Sequence, residues 1–308
     1  MKASIHDGTI YDYIKKIVPQ EDILLQEPMS RHTTFRVGGE ARCFIRIKSK
    51  EQLLKLAPYL QATGQDYFIL GNGSNLLVGD KGYSGFVVKL ESSMGEVRVM
   101  GSRISVPAGM PLSKAAGTAR DHGLSGLEFA SGIPGTVGGG VVMNAGAYGG
   151  ELKQVVESVE VMGREGEILV LDNETMEFGY RTSVIKNRPF VVLEVTMKLQ
   201  QGSPEEITAR MEELAAMRRA KQPLEYPSAG SAFKRPEGYY AGKLIMEAGL
   251  KGFCIGGAQV SEKHCGFIVN TGNATAADIK KVMEEVQLRV KERFGVRLER
   301  EVIFLGDF

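Results

Sequence analysis

The sequence predicts an α+β fold in two parts, and three observations lead there. Short β-branched and aromatic runs alternate with amphipathic stretches that carry helix caps. Two glycine-rich loops interrupt this alternation. A Gln-Gly-Ser-Pro step at 201–204 then separates a smaller α/β unit at the C-terminal side.

Taken in order, residues 8–18 set Ile10, Ile14, Ile17 and Val18 on one helical face, with Asp7 as the expected cap and Pro19 as the stop. A short apolar segment follows at Ile23–Leu25. Thr33-Thr34-Phe35-Arg36-Val37-Gly38-Gly39 leads into an alternating strand at 41–47, and Gly38-Gly39 suits a hairpin turn before that strand. Ser49 and Gln52 form a capping box for a helix carrying Leu53, Leu54, Ala57 and Leu60, with a kink expected at Pro58 and an end at Gly64. Strands are expected at 68–70, 85–90, 97–100 and 104–106, and a helix from Leu112 to His122 stopped by Gly123.

Beyond residue 150, strands are expected at 155–162, 168–171 and 190–199. Ser203 as N-cap, Pro204 and Glu206 open a helix to about Ala220, and Pro223 and Pro227 end it. Further elements are a helix near 240–248, strands near 259–260 and 266–269, and a long helix over 276–294. Ile279, Val282, Met283, Val286, Val290 and Phe294 give that helix one apolar stripe, which reads as core. No repeat is visible.

Composition narrows the class. Lys plus Arg total 38 and Asp plus Glu 37, so no net basic excess recommends nucleic acid or an anionic membrane as partner. No stretch approaches a membrane span and no secretory leader is read at the N-terminus, so a cytoplasmic protein is expected. Cys43, Cys254 and Cys265 are odd in number and lack a CxxC, which favours reduced thiols over a disulfide framework. His264-Cys265 are adjacent and the other cysteines lack ligand spacing, so no metal site is expected.

The chemistry concentrates in the glycine loops. Eight of the twenty residues from Ser131 to Gly150 are glycine, interleaved with the packing residues Ile133, Val137, Val141, Val142, Met143 and Tyr148. Such a run brings backbone close to something while staying rigid, and a series of amide N–H groups can cradle a pyrophosphate. A tightly packed turn is the plainer reading. Gly71-Asn72-Gly73-Ser74-Asn75-Leu76 repeats the chemistry after the apolar run Tyr67–Leu70. Leu76 stands where a GxGxxG fingerprint needs its third glycine, and no GxxxxGK[ST] occurs.

These loops, with Tyr180-Arg181-Thr182-Ser183, Ala229-Gly230-Ser231-Ala232-Phe233-Lys234 and Leu298-Glu299-Arg300-Glu301-Val302, resemble the UDP-N-acetylenolpyruvoylglucosamine reductase family over roughly Arg31 to the C-terminus. The resemblance implies a two-part FAD-binding region of the vanillyl-alcohol-oxidase/PCMH type with a smaller substrate domain. It divides the chain into an N-terminal packing segment (1–30), an FAD-binding domain (31–200, two subdomains parting near 90–100) and a substrate-binding domain (201–308). FAD would meet Gly71, Asn72, Gly73, Ser74, Asn75 and Leu76, then Ser131, Gly132, Ile133, Pro134, Gly135, Thr136, Gly138, Gly139, Asn144, Ala145 and Gly146. NADPH is implied as co-substrate and UDP-N-acetylglucosamine enolpyruvate as substrate, with a monomer or weak oligomer expected. The Thr33–Gly39 segment would lie near flavin and substrate.

The resemblance also assigns the catalytic groups. Arg181 would stabilise the charge that develops on the substrate carboxylate, a task its planar cationic fork suits; apart from the motif, Arg188 looks no different. Ser231 would donate a proton to C2. Glu301 would stabilise or protonate the intermediate, although strand alternation alone does not choose between Glu301 and Glu299. Lys221, Lys234 and Arg235 are candidate substrate contacts. Arg235 and Gly266 stand where many members carry asparagine, which resembles the branch lacking an extra tyrosine-bearing substrate loop. A flavin oxidase of the same architecture and a non-catalytic nucleotide-sugar sensor are the rival readings.

Overall fold

The computed structural model describes residues 6–308, with side chains from Gly8 onward. The chain divides into two compact units. The first comprises the chain up to Glu27, Arg42–Gly71 and Gly85–Leu214; the second comprises Pro28–Ala41, Asn72–Ser84 and Ala215–Phe308.

The first unit is built on an antiparallel five-stranded sheet in the order Ile168–Asp172, Val156–Met162, Val191–Lys198, Arg103–Pro107, Arg98–Met100. A four-stranded sheet runs Ile23–Pro28, Glu40–Ile47, Tyr83–Leu90, Tyr67–Leu70, and its last pair is parallel. Helices Lys50–Ala62 and Leu112–Asp121 bury Leu53, Leu56 and Leu60, and Leu112, Ala115 and Ala119, in one core with Phe86, Ile104 and Val195. The Ser49–Gln52 capping box forms as expected. The first helix runs His6–Ile17, so Asp7 lies inside it and is not its cap.

A helix inside the glycine-rich stretch was absent from the sequence expectations. Val137–Val142, inside the glycine-rich stretch, is a helix of six residues. Three consecutive glycines have the poorest helix propensity after proline, yet Val137, Gly138, Gly140 and Val141 are buried, and the Thr136 hydroxyl accepts the Gly139 N–H at 3.3 Å. Packing overrides propensity here.

The second unit carries a four-stranded antiparallel sheet in the order Ser228–Ser231, Phe267–Asn270, Ala258–Val260, Cys254–Ile255. The long helix Ala276–Phe294 rests on it, with Ile279, Val282, Met283, Val286 and Val290 fully buried. Thr275 and Asp278 form its capping box, and both Asp80 carboxylate oxygens accept its first amides, from Ala276 and Ala277, at 2.8 Å each. Near the C-terminus only Ile303–Leu305 is strand, pairing in parallel with Leu76–Val78. Leu298 and Val302 are buried as strand alternation predicts, but Arg300 is exposed with its guanidinium 4.2 Å from the Phe304 ring centroid.

Candidate functional site

In the first unit the start of the first glycine loop meets the second glycine-rich stretch. Gly71 follows strand Tyr67–Leu70, and a Cβ there would lie 2.5 Å from the Thr136 hydroxyl, so only glycine permits the approach. The Lys89 ammonium donates to the Gly71 carbonyl, and burial draws its pKa below the ordinary lysine value of 10.5. Ser131 to Gly135 form the turn that enters the short helix. The Ser131 hydroxyl donates to the Glu128 carbonyl at 2.7 Å, the Ile133 amide to the Ala130 carbonyl at 3.1 Å, and the Gly135 carbonyl accepts from Leu112 at 3.0 Å.

Within the helix itself the amides are already committed. Val137 donates to Met110, Gly138 to Ala108 and Gly140 to Thr136, at 2.8–2.9 Å. The packed reading of this stretch therefore accounts for these amides, and any anion cradle falls to the turn before them.

Asn144 ties the second glycine loop to neighbouring segments. It is buried, with 1% of its surface exposed and φ +42°. Its amide donates to the Gly179 carbonyl at 3.0 Å, and its side-chain oxygen accepts the Lys153 N–H at 2.9 Å. Ser183 donates to the Val142 carbonyl at 3.0 Å. Between these anchors sits Arg181, in the left-handed region at φ +55°, with its guanidinium 3.4 Å from the Gly146 carbonyl. Such a backbone costs about 1–3 kcal/mol in a non-glycine residue and persists only where its surroundings enforce it. Arg188, by contrast, is exposed in extended backbone. The strained, anchored turn separates two arginines that the sequence left equal apart from the motif.

In the second unit the remainder of the first loop packs on the Thr33–Gly39 segment. Gly73 has φ +60°, and a Cβ there would lie 2.1 Å from the His32 carbonyl. Its own carbonyl accepts the Thr34 N–H at 3.2 Å, and the Phe35 carbonyl is held by Asn270 at 3.0 Å. Among the described residues, no hydrogen bond takes up the amides of Gly73, Ser74 or Asn75. A turn of open amides around a left-handed glycine fits an anionic group such as a pyrophosphate.

Ser231 ends strand Ser228–Ser231, where the register with Phe267–Asn270 shifts between Ser228 and Ser231. Gly230, at φ +74°, makes that bulge, and bulges re-aim the side chain that follows. Ala232 and Phe233 behind it are buried. The next segment lies against Glu299–Glu301: Lys234 N–H donates to the Glu299 carbonyl at 2.8 Å, and Glu301 N–H to the Ala232 carbonyl at 3.0 Å.

This pairing brings Ser231 and Glu301 onto one scaffold and tells the two glutamates apart. Glu299 is exposed and forms an ion pair with Lys234, whereas Glu301 is half-buried. The Arg235 guanidinium lies 4.0 Å from the Tyr240 ring centroid, and its Nε donates to the Tyr239 carbonyl at 3.3 Å. Lys221 closes helix Pro204–Lys221 with an exposed side chain; no hydrogen bond or ion pair among the described residues joins it to Ser231 or Glu301.

The family described as "FAD binding domain" matches residues 41–172, and "UDP-N-acetylenolpyruvoylglucosamine reductase, C-terminal domain" matches residues 222–305. The UDP-N-acetylenolpyruvoylglucosamine reductase of Caldanaerobacter subterraneus subsp. tengcongensis is 52% identical over 298 residues, covering 97% of this chain and 98% of that one. The chain belongs to the UDP-N-acetylenolpyruvoylglucosamine reductase family.

The reductase of Clostridioides difficile is 47% identical over 303 residues, covering 98% of this chain and all of that one. The crystal structure of the Thermus caldophilus UDP-N-acetylenolpyruvylglucosamine reductase superposes with a TM-score of 0.79 at 39% identity, over 92% of this chain and 98% of that one. The α+β fold is thus that of this reductase family. What sequence reasoning missed is the support that Lys89 gives within the first unit and Asp80 within the second. Each partners backbone far away in sequence, and no local pattern announces such a bond.

Proposed function

We propose that the protein is an FAD-dependent reductase that uses NADPH to convert UDP-N-acetylglucosamine enolpyruvate to UDP-N-acetylmuramate in peptidoglycan precursor synthesis. The observation that carries this reading is the 52% identity to a reductase of that name across 97% of the chain. The FAD-binding family match over residues 41–172 and the open amides of Gly73 to Asn75 support the cofactor. A cytoplasmic enzyme serving cell-wall growth, and through it cell shape and division, follows from this assignment, with no nucleic-acid or membrane partner. We assign residues 31–200 to FAD, 201–308 to substrate and 1–30 to packing.

When bound, FAD supplies the hydride chemistry, accepting hydride from NADPH and giving it to C3 of the enolpyruvyl group. The residues that would hold the cofactor are, in the first unit, the Ser131–Thr136 turn with Gly138, Gly139, Ala145 and Gly146 and, in the second unit, the Asn72–Leu76 loop. Addition at C3 leaves negative charge at C2, shared with the neighbouring carboxylate. Arg181 meets that charge, because its guanidinium stays protonated at any working pH and its strained turn holds it in place. The Ser231 hydroxyl gives its proton to C2, and Glu301, on the adjacent segment, stabilises the intermediate and the proton path. Lys221, Lys234 and Arg235 attract the substrate's phosphates and carboxylate.

Rapid-mixing measurement of the two half-reactions tests these roles. Ser231→Ala is expected to leave flavin reduction by NADPH near the wild-type rate and to slow reoxidation by substrate by about 10²-fold or more. Equal losses in both half-reactions would remove Ser231 from proton donation.

A further inference from the structure

Asn75 belongs to the first glycine loop, yet its side chain serves another segment. Its Nδ2 donates to the main-chain carbonyl of Glu301 at 3.0 Å, and its own carbonyl accepts the Ile303 N–H at 3.0 Å. The parallel pairing then continues as Leu76 with Ile303, Leu77 with Phe304 and Val78 with Leu305. That strand begins only at Ile303, so no strand pairing reaches Glu301 itself. On the other side, the Glu301 N–H donates to the carbonyl of Ala232, the residue after Ser231. The Glu301 peptide is therefore fixed from both directions, its N–H by the Ser231 loop and its C=O by the Asn75 amide.

We propose that Asn75 is a positioning residue for Glu301: its amide holds the Glu301 backbone so that the carboxyl group keeps a set register to Ser231. The inference rests on the reductase reading, which gives Glu301 its role. Without the donor, the Glu301–Val302 peptide loses that hold while Ile303 stays bound to the Asn75 main chain. Catalytic side chains need placement to about 0.5 Å, so that release reaches the chemistry although Asn75 touches no reacting atom. The loop thereby links the cofactor side of the second unit to the residue that acts on the substrate.

The test uses Asn75→Asp, which keeps size but cannot donate, and Asn75→Ala, each made in the wild type and in Glu301→Gln. Rates are read at saturating flavin and per flavin bound, because the Asn75 loop also belongs to the cofactor site, and flavin reduction by NADPH is expected to fall less than reoxidation. Reoxidation by the enolpyruvyl substrate is expected to fall about tenfold or more. In the Glu301→Gln background the same change costs less than about twofold, the non-additivity of two residues acting through one group.

Hydrogen exchange of the apoprotein gives a readout independent of turnover. In Asn75→Ala the Glu301 amide exchanges faster while the Ile303 amide stays protected. Equal losses in both half-reactions, an undiminished factor in the Glu301→Gln background, or loss of protection at both amides would overturn the proposal and leave Asn75 a fold residue only. If Glu301→Gln alone reoxidises at the wild-type rate, the Glu301 assignment fails first and takes this inference with it.

Discussion

His264 shows how one residue ties the Ser231 loop to pH. Its Nδ1 accepts the Gly266 N–H at 3.1 Å, and the ring sits edge-on to Phe267 at 5.0 Å. The Gly266 carbonyl in turn accepts the Ala232 N–H at 2.8 Å. Burial lowers the His264 pKa below its ordinary 6.5, outweighing a backbone hydrogen bond that acts the other way. As pH falls through 6.5 the unfolded chain takes up this proton before the folded chain does, so stability is lost on acidification below that point. His264→Asn, whose side-chain oxygen can accept the same N–H, is expected to lose less stability than wild type between about pH 7.5 and about pH 5.5, read by urea unfolding. An identical acid loss in the two proteins would contradict the assignment.

At this scale the residues themselves, apart from the family motifs, did not rank the candidates. Arg181 and Arg188, and Glu299 and Glu301, were equal until backbone strain, exposure and the Lys234 ion pair separated them. Those are properties of the fold, and a side-chain list does not contain them.

At the scale of elements, periodicity served well where one face is buried. The apolar stripe of Ala276–Phe294 is fully legible, because burial at Ile279, Val282, Met283, Val286 and Val290 follows the 3.6-residue period. The Asp80 part of its capping is not, since Asp80 lies far upstream and bonds its first two amides through a loop that sequence spacing cannot foresee. A carboxylate at a helix N-terminus also complements the macrodipole. Asp80→Ala is expected to cost about 1.5–3 kcal/mol, the range for hydrogen bonds to a charged group, measured by thermal or urea unfolding. A loss no larger than that of a surface substitution would show that water replaces the carboxylate.

The helix Val137–Val142 was illegible for the opposite reason. Its glycines argue against helix, and only the close approach of Ala108 and Leu112, which a Cβ at Gly138 or Gly140 would strike, explains them. Over 298–305 only Ile303–Leu305 is strand; the residues before it meet the segment after Ser231 at the single Phe233–Arg300 bridge, beside a strand that carries a bulge. Pattern rules assume a regular partner, and here the partner is irregular where the chemistry sits.

For the whole molecule, the glycine loops advertised a phosphate-bearing ligand, and family motifs spread along the chain carried the identity. Less visible was the way each unit gathers distant segments. Thr33–Gly39 and Asn72–Ser84 belong with the C-terminal half, so the first glycine loop divides after Gly71. No helix among the described residues is long and apolar enough to cross a membrane. The central claim is a reaction, and the most direct test is NADPH oxidation by the purified, FAD-loaded protein with and without UDP-N-acetylglucosamine enolpyruvate. The account predicts oxidation that depends on the enolpyruvyl sugar and yields UDP-N-acetylmuramate. A flavin-loaded protein that consumes no NADPH with this substrate, or that is reduced by a sugar or hydroxy acid and turns over with oxygen, would contradict it.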